Sequence, residues 1–435
     1  MSAIVIRGLQ PLQGHIRVQG SKNAVLPMMA ASVLNQGITI IHNVPRIQDV
    51  FCMMGILTSL GCVCHLRGHR LEIDSRGLSG CSISKREMEQ MRSSIMLLGP
   101  LLGRCREAAV YDPGGCMIGK RPIDLHLMAL EQLGAEIVRA GEDKPLVARC
   151  TELKGARITF PYPSVGATEN ALLASVTADG TTIIDGAARE PEIRQLCGFL
   201  NAMGASVRGG GSPVITVEGG LPLHDCEYSV HGDRIVAGTY LLAAAGAGGE
   251  VILTGMKTGE LQVLTEVLRR MGAGLYTEPD FFYLCRRERL SGISIRTGPF
   301  PEFPTDLQSV MMALMSLSEG ESRLEETVFE NRFRTAGELR KLGALIETEG
   351  NLARIRGQKI LHGASVTAQD LRGGAALAAA ALKAEGTTVI RDCEHIDRGY
   401  EDIVRDLAGI GAMIHREEAG EQRREENDTI KTEKQ

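Results

Sequence analysis

A chain of 435 residues is longer than one hydrophobic core usually supports, and 43% hydrophobic with 23% charged residues is the composition of a folded globular protein. A formal net charge of -5 provides no global field to hold nucleic acid or an acidic membrane, so any anion site must be built locally. The opening MSAIVIRGLQ lacks the charged leader and apolar core of a signal peptide, and no run of 18 apolar residues occurs, so a cytoplasmic protein with no membrane contact is expected.

The eleven cysteines lack paired Cys-x-x-Cys spacing, which argues against a disulfide framework. Cys62, Cys64 and His65 have no second ligand pair at a usual spacing, so no metal is expected there.

Taken in chain order, six Ala/Leu/Met-rich stretches open with a polar residue: KNAVLPMMAASVLNQG, MRSSIMLLGPLLG, ATENALLASVTADG, DRIVAGTYLLAAAGAGG, TDLQSVMMALMSLSEG and LRGGAALAAAALKAEG. Leu26, Met29, Ala30, Val33 and Leu34 follow helical spacing, and these segments predict six largely buried helices. Four are followed by a turn and a β-branched run (GITIIHNV, GTTIIDGA, GEVILTGM, GTTVIRDC). A second helical pattern then closes on an apolar-Gly pair, at Gly61, Gly134, Gly204, Gly272, Gly343 and Gly411, with about 70 residues between successive glycines.

The chain is therefore expected to be α/β, with six internal repeats of βαβαββ type. Helices so apolar must bury against one another, which favours two groups of three, with the link near 221–233. The charged end of the chain, from Arg416 on, reads as a disordered tail.

The loops between the middle strand and second helix each carry one cation: Arg46, Arg121, Arg189, Lys257, Arg332 and Arg398. The opening helices start at Lys22 and Asn23, Arg92, Thr168 and Glu169, Asp233 and Arg234, Asp306, and Asp370 with Arg372. Helix N-termini surrounded by Arg and Lys suit phosphate and carboxylate groups, although any single member could be a solvated charge or an ion pair such as Arg189 with Glu190. One unit inserts a glycine-rich loop, Asp112 to Pro122, around Cys116; the neighbouring Lys120 and Arg121 should favour its thiolate. Asp306, after Phe303-Pro304-Thr305, reads equally as a first-turn carboxylate or as an acceptor for a sugar hydroxyl proton.

Several of these segments resemble the UDP-N-acetylglucosamine 1-carboxyvinyltransferase family. They are Gly20-Ser21-Lys22-Asn23-Ala24, the run from Gly114 through Cys116 and Arg121 to His126, Ser164 to Asn170, Phe303 to Asp306, Glu330-Asn331-Arg332-Phe333 and Asp397-Arg398-Gly399-Tyr400. The likeness runs to about residue 415. It implies the enolpyruvyltransferase fold, an inside-out α/β barrel, with one domain over 22–230, a second over 1–21 plus 231–419, and a tail at 420–435.

It also implies a reaction without cofactor or metal. The 3-hydroxyl of UDP-N-acetylglucosamine attacks phosphoenolpyruvate and phosphate leaves from a tetrahedral ketal, the first committed step of peptidoglycan synthesis. Cys116 is implied as the general acid and the thiol alkylated by fosfomycin, and Asp306 as the base, with Lys22 and Arg398 also catalytic. Phosphoenolpyruvate would meet Lys22, Asn23, Arg121, Asp370, Arg372 and Arg398. The UDP-sugar would meet Asn23, Arg92, Arg121, Pro122, Ile123, Asp124, Leu125, Ser164, Val165, Asp306 and Val328.

Lys120, Gly232, Glu302 and Thr335 depart from the family's usual residues, and Glu302 adds an acid near Asp306 in sequence. The alternatives are a 5-enolpyruvylshikimate-3-phosphate synthase-like enzyme, whose pattern lacks the cysteine loop, and a low-activity or non-catalytic paralogue that binds UDP-N-acetylglucosamine.

Overall fold

The computed structural model describes residues 2–114, 119, 122–139, 141 and 144–417. Cys116, Lys120 and Arg121 lie outside the described residues, as does the segment 420–435.

The apolar opening segments form helices because Ala, Leu and Met lose little side-chain freedom there, and they are buried because apolar residues surround the axis. Helix Arg234–Ala247 and helix Gln308–Met315 are buried at every residue. Helix Leu371–Ala381 is buried at all but its first residue, and helix Lys22–Ala31 at all but Asn23. The helices Arg234–Ala247, Gln308–Met315 and Leu371–Ala381 pack on one another.

Around these helices lie six small sheets of one plan. In five of them a parallel pair is extended by two antiparallel partners, as where Ser294–Arg296 runs parallel to Glu321–Glu325, which pairs antiparallel with Leu352–Arg356 and so reaches Leu345–Glu349. In the sixth, Glu107–Val110, Leu146–Arg149 and Glu136–Arg139 keep the antiparallel part. Its parallel strand shrinks to a bridge between Ser82 and Ala109. Alternation along the strands, as in Thr181–Asp185, buries one face only, so helices line the inside and sheets the outside.

The repeated glycine has a backbone reason. Gly61, Gly134, Gly204, Gly272 and Gly343 directly follow the C-cap of a second helix and Gly411 stands two residues past one, all with φ between 89° and 105°. A side chain is strained there, and glycine lets the chain turn from helix into strand.

Buried apolar residues fall into two clusters. One is drawn from Ala24 to Val230, the other from Ile4 to Val18 together with Ile235 to Ile414. Two crossings join them. Strands Ala3–Arg7 and Leu12–Arg17 from the chain start complete sheets of the second core, while Cys226–Ser229 completes a sheet of the first. Between the cores, Gly20 bridges Gly232, Ser21 N donates to His231 O, and Asp233 N donates to Gln19 O. A β-carbon at Gly232 would come within 2.2 Å of the Gly255 carbonyl, so this crossing requires a residue without one.

Candidate active site

The opening helices that start at Lys22 and after Asp233 meet at the junction of the two cores. Asp233 caps its own helix by accepting from Ile235 N at 2.8 Å and Val236 N at 3.1 Å, and its other oxygen accepts from Lys22 N at 3.0 Å. One carboxylate thus ties the starts of two helices that belong to different cores.

Lys22 is buried, and its Nζ stands 2.5 Å from Asp49, a first-turn residue of helix Gln48–Ser59. Arg398 of the second core reaches the same carboxylate, with Nε at 3.0 Å and Nη2 at 3.4 Å. Burial by itself would raise the pKa of Asp49, but the charges of Lys22 and Arg398 outweigh it and hold the carboxyl below its ordinary value. For Lys22 burial prevails over the help of Asp49, and its pKa is lowered. Asp49 was not singled out from the sequence, where a carboxylate in a helix's first turn is the commonest of features.

A second acid-centred cluster lies wholly within the second core. One oxygen of Asp306 accepts from Arg332, and the other accepts from Arg372 Nη2 at 3.0 Å. Arg332 is 4% exposed and Arg372 is also 4% exposed, so both guanidiniums are taken from water for this pairing. Burial works against the charge of Arg372, and Asp306, Tyr400 and Asp233 together more than offset it, raising the pKa. Arg332, known from the sequence as a loop cation in a family-like segment but without a role, therefore holds Asp306.

Other sequence-selected residues are placed as follows. Asp370 caps its helix, accepting from Arg372 N and Gly373 N at 2.9 Å each, which presents Arg372 toward Asp306. Ser164 Oγ accepts from Ala167 N at 3.4 Å and caps helix Val165–Ser175. Arg92 Nη1 donates to the Pro113 carbonyl at 3.2 Å, at the base of the cysteine loop. Asp124 and Leu125 open helix Asp124–Gln132 after Pro122 and Ile123, while Val328 is exposed and donates its N–H to Glu326 at 2.8 Å. Asn23 follows Lys22 on helix Lys22–Ala31 and is half-buried.

The exposed Glu302 folds back on Gly298, where a β-carbon would meet its carboxylate at 2.2 Å. Thr335 is buried, and its hydroxyl would stand 2.8 Å from a β-carbon at Gly373, so it packs the start of the Arg372 helix.

Arg234 Nε pairs with Glu192 at 2.9 Å, both buried. Glu169 is fully buried beside Glu192 and Glu190; burial first, then these two acids, raises its pKa well above the usual carboxylate range. His126 is also buried, which lowers its pKa to about 4, and its Nδ1 accepts from Asn170 at 2.8 Å. Asn170 donates as well to Ile95 O at 3.0 Å and accepts from Gly99 N at 2.8 Å, joining helical segments of the first core.

The model of the EPSP synthase (3-phosphoshikimate 1-carboxyvinyltransferase) family matches residues 6–407. Among solved structures, the enolpyruvyl transferase NikO from Streptomyces tendae is similar with a TM-score of 0.87 at 23% identity, covering 95% of this chain and 98% of that one. EPSP synthase from Acinetobacter baumannii is similar with a TM-score of 0.73 at 20% identity, covering 96% of this chain and 100% of that one. The fold is therefore that of the enolpyruvyl transferases.

Curated relatives include UDP-N-acetylglucosamine 1-carboxyvinyltransferase 2 of Caldanaerobacter subterraneus subsp. tengcongensis, 45% identical over 96% of this chain and 100% of that protein. The corresponding enzyme 1 of Symbiobacterium thermophilum is 46% identical over 95% of this chain and 94% of that protein. Within the enolpyruvyl transferases, the chain belongs to the UDP-N-acetylglucosamine 1-carboxyvinyltransferase family.

Proposed function

We infer that the protein transfers the enolpyruvyl group of phosphoenolpyruvate to the 3-hydroxyl of UDP-N-acetylglucosamine and releases phosphate, committing the sugar to peptidoglycan. The observation that carries this reading is the convergence of Lys22 from one core and Arg398 from the other on one buried carboxylate, in a chain that matches such enzymes nearly end to end. Two cations held a few ångströms apart suit an anion that carries both phosphate and carboxylate.

In this proposal Cys116 protonates the methylene carbon of phosphoenolpyruvate while the sugar oxygen attacks the adjacent carbon, and Asp306 takes the hydroxyl proton. Both Asp306 oxygens are already engaged by arginines. A carboxylate has lone pairs beyond those two bonds, so it can still accept a proton while its orientation stays fixed. Lys22, Arg121 and Arg398 balance the charge of the tetrahedral ketal and of the leaving phosphate, with Asn23, Asp370 and Arg372 beside them.

The UDP-sugar is assigned to Asn23, Arg92, Arg121 to Leu125, Ser164, Val165, Asp306 and Val328. Residues 22–230 and residues 1–21 with 231–419 act as two domains that close over the substrates and exclude water. No helix among the described residues is long and apolar enough to cross a membrane, and the proposal includes a cytoplasmic location.

The test is phosphate release from phosphoenolpyruvate with UDP-N-acetylglucosamine or with shikimate 3-phosphate. Release with the UDP-sugar alone, abolished by Cys116→Ser and by fosfomycin, is the expected result. Release with shikimate 3-phosphate alone would transfer the chain to the other acceptor.

A further inference from the structure

Arg398 is a long side chain whose tip reaches the Asp49 carboxylate, and such a contact fixes the tip better than the backbone. The structure shows what fixes the backbone. Three residues on, the Glu401 carboxylate is only 10% exposed; it accepts from Arg46 N at 2.5 Å and stands 3.4 Å from His69 Nδ1. Arg46 lies three residues before Asp49 in the other core. The segment 398–401 therefore docks on the segment 46–49 at two points, Arg398 on Asp49 and Glu401 on Arg46.

Gln19 spans the turn between those points. Its Nε2 donates to Gly399 O at 3.0 Å, and its Oε1 accepts from Glu401 N at 2.8 Å. Gln19 O also accepts from Asp233 N at 2.8 Å, so the residue that grips the turn stands on the crossing between the cores. Tyr400, buried, is held from beneath by Thr239 at 2.7 Å. On the receiving side, Arg46 Nη1 donates to Gly68 O at 3.2 Å and its guanidinium lies 5.7 Å from the centre of the Phe51 ring. The Arg46 loop is thereby a defined surface for Glu401 to meet.

We propose that Glu401, clamped by Gln19, is a positioning residue for phosphoenolpyruvate: it latches the two cores in the register that sets Arg398 against the anion. This rests on the reading of Arg398 as a phosphoenolpyruvate contact. An accepted backbone N–H is worth about one net hydrogen bond, so its loss should weaken anion binding about five- to tenfold. The residues assigned to the UDP-sugar belong to other segments.

The test compares Glu401→Ala, Glu401→Gln, Gln19→Ala and Arg398→Ala by steady-state kinetics, with both substrates varied. Glu401→Ala should raise the KM for phosphoenolpyruvate about five- to tenfold, with the KM for UDP-N-acetylglucosamine unchanged. Glu401→Gln, whose amide oxygen still accepts from Arg46 N, should restore the wild-type value. Gln19→Ala should show the same split between the two KM values, and it replaces Glu401→Ala should that variant not fold. A Glu401→Ala enzyme with lower Tm but an unchanged KM for phosphoenolpyruvate, or failure of Glu401→Gln to rescue, overturns the proposal. An unchanged KM in Arg398→Ala would instead overturn the assignment of Arg398 beneath it.

Discussion

The two acid-centred clusters invite comparison because each sets one carboxylate between two cations, yet they are assembled differently. Asp306 is held by Arg332 and Arg372 of its own core, so the cluster exists as soon as that core folds. Asp49 is held by Lys22 of its own core and by Arg398, 349 positions away in the other, so it is complete only where the two cores meet. A preformed cluster suits a group that must be oriented before the sugar arrives. A cluster completed by contact suits a charge that must be neutralised only when the anion is enclosed. In the proposed reaction, electrostatic preorganisation and closure would be allotted to different carboxylates.

The largest effect that would sharpen this contrast is on turnover. Asp306→Asn keeps the shape of the side chain but removes the proton acceptor, and kcat should fall roughly 10²- to 10⁴-fold. Binding of UDP-N-acetylglucosamine, measured by calorimetry, should change little. Normal turnover in this variant would reduce Asp306 to a structural partner of Arg332 and Arg372.

Asp49→Asn tests the other cluster. Removing the shared anion takes the Asp49 charge away from the buried Lys22 and from Arg398, at a cost of about 3 kcal/mol read as a drop in Tm. Because an anionic ligand supplies the missing charge, inorganic phosphate with UDP-N-acetylglucosamine should raise the Tm of Asp49→Asn more than that of the wild type. Asp306→Asn should show no such enhancement. Equal ligand responses in the two variants would erase the distinction between contact-completed and preformed clusters.

A smaller effect concerns the layer beneath. His126 is buried neutral with its pKa lowered from 6.5 to about 4, so the unfolded chain binds more protons than the folded one between those values. Its contribution is present above pH 6.5 and is lost as pH falls toward 4, up to about 3 kcal/mol. Denaturant unfolding at pH 7 and pH 5 should show the loss, and His126→Asn should flatten it. An unchanged pH slope in that variant would place the acid sensitivity elsewhere.

The sequence is most legible where the cause is local. The six apolar segments are helices, and the glycines whose recurrence marked the ends of the second helices adopt a left-handed backbone there. Asp370 was legible as the start of a helix, and the structure makes it the cap because an acid directly before a helix has free N–H groups within reach. The parallel strand reduced to Ser82 and Ala109 was not legible, since its pairing is with a distant segment and not in its own pattern. Nor was Asp49, a plain first-turn acid until Arg398 is brought against it.

By itself, then, the sequence determined the repeating unit, the burial of its helices, the turns that close it and the family to which the chain belongs. Periodicity and backbone strain act over a few residues and leave their mark in order and spacing. Tertiary structure alone decided that Arg332 and Arg372 share Asp306, that Lys22 and Arg398 share Asp49, and that Glu401 rests on the backbone of Arg46. Such partners are chosen by how two cores pack. A buried charge takes whatever opposite charge or N–H the packing brings within reach, and nothing in the flanking residues names it.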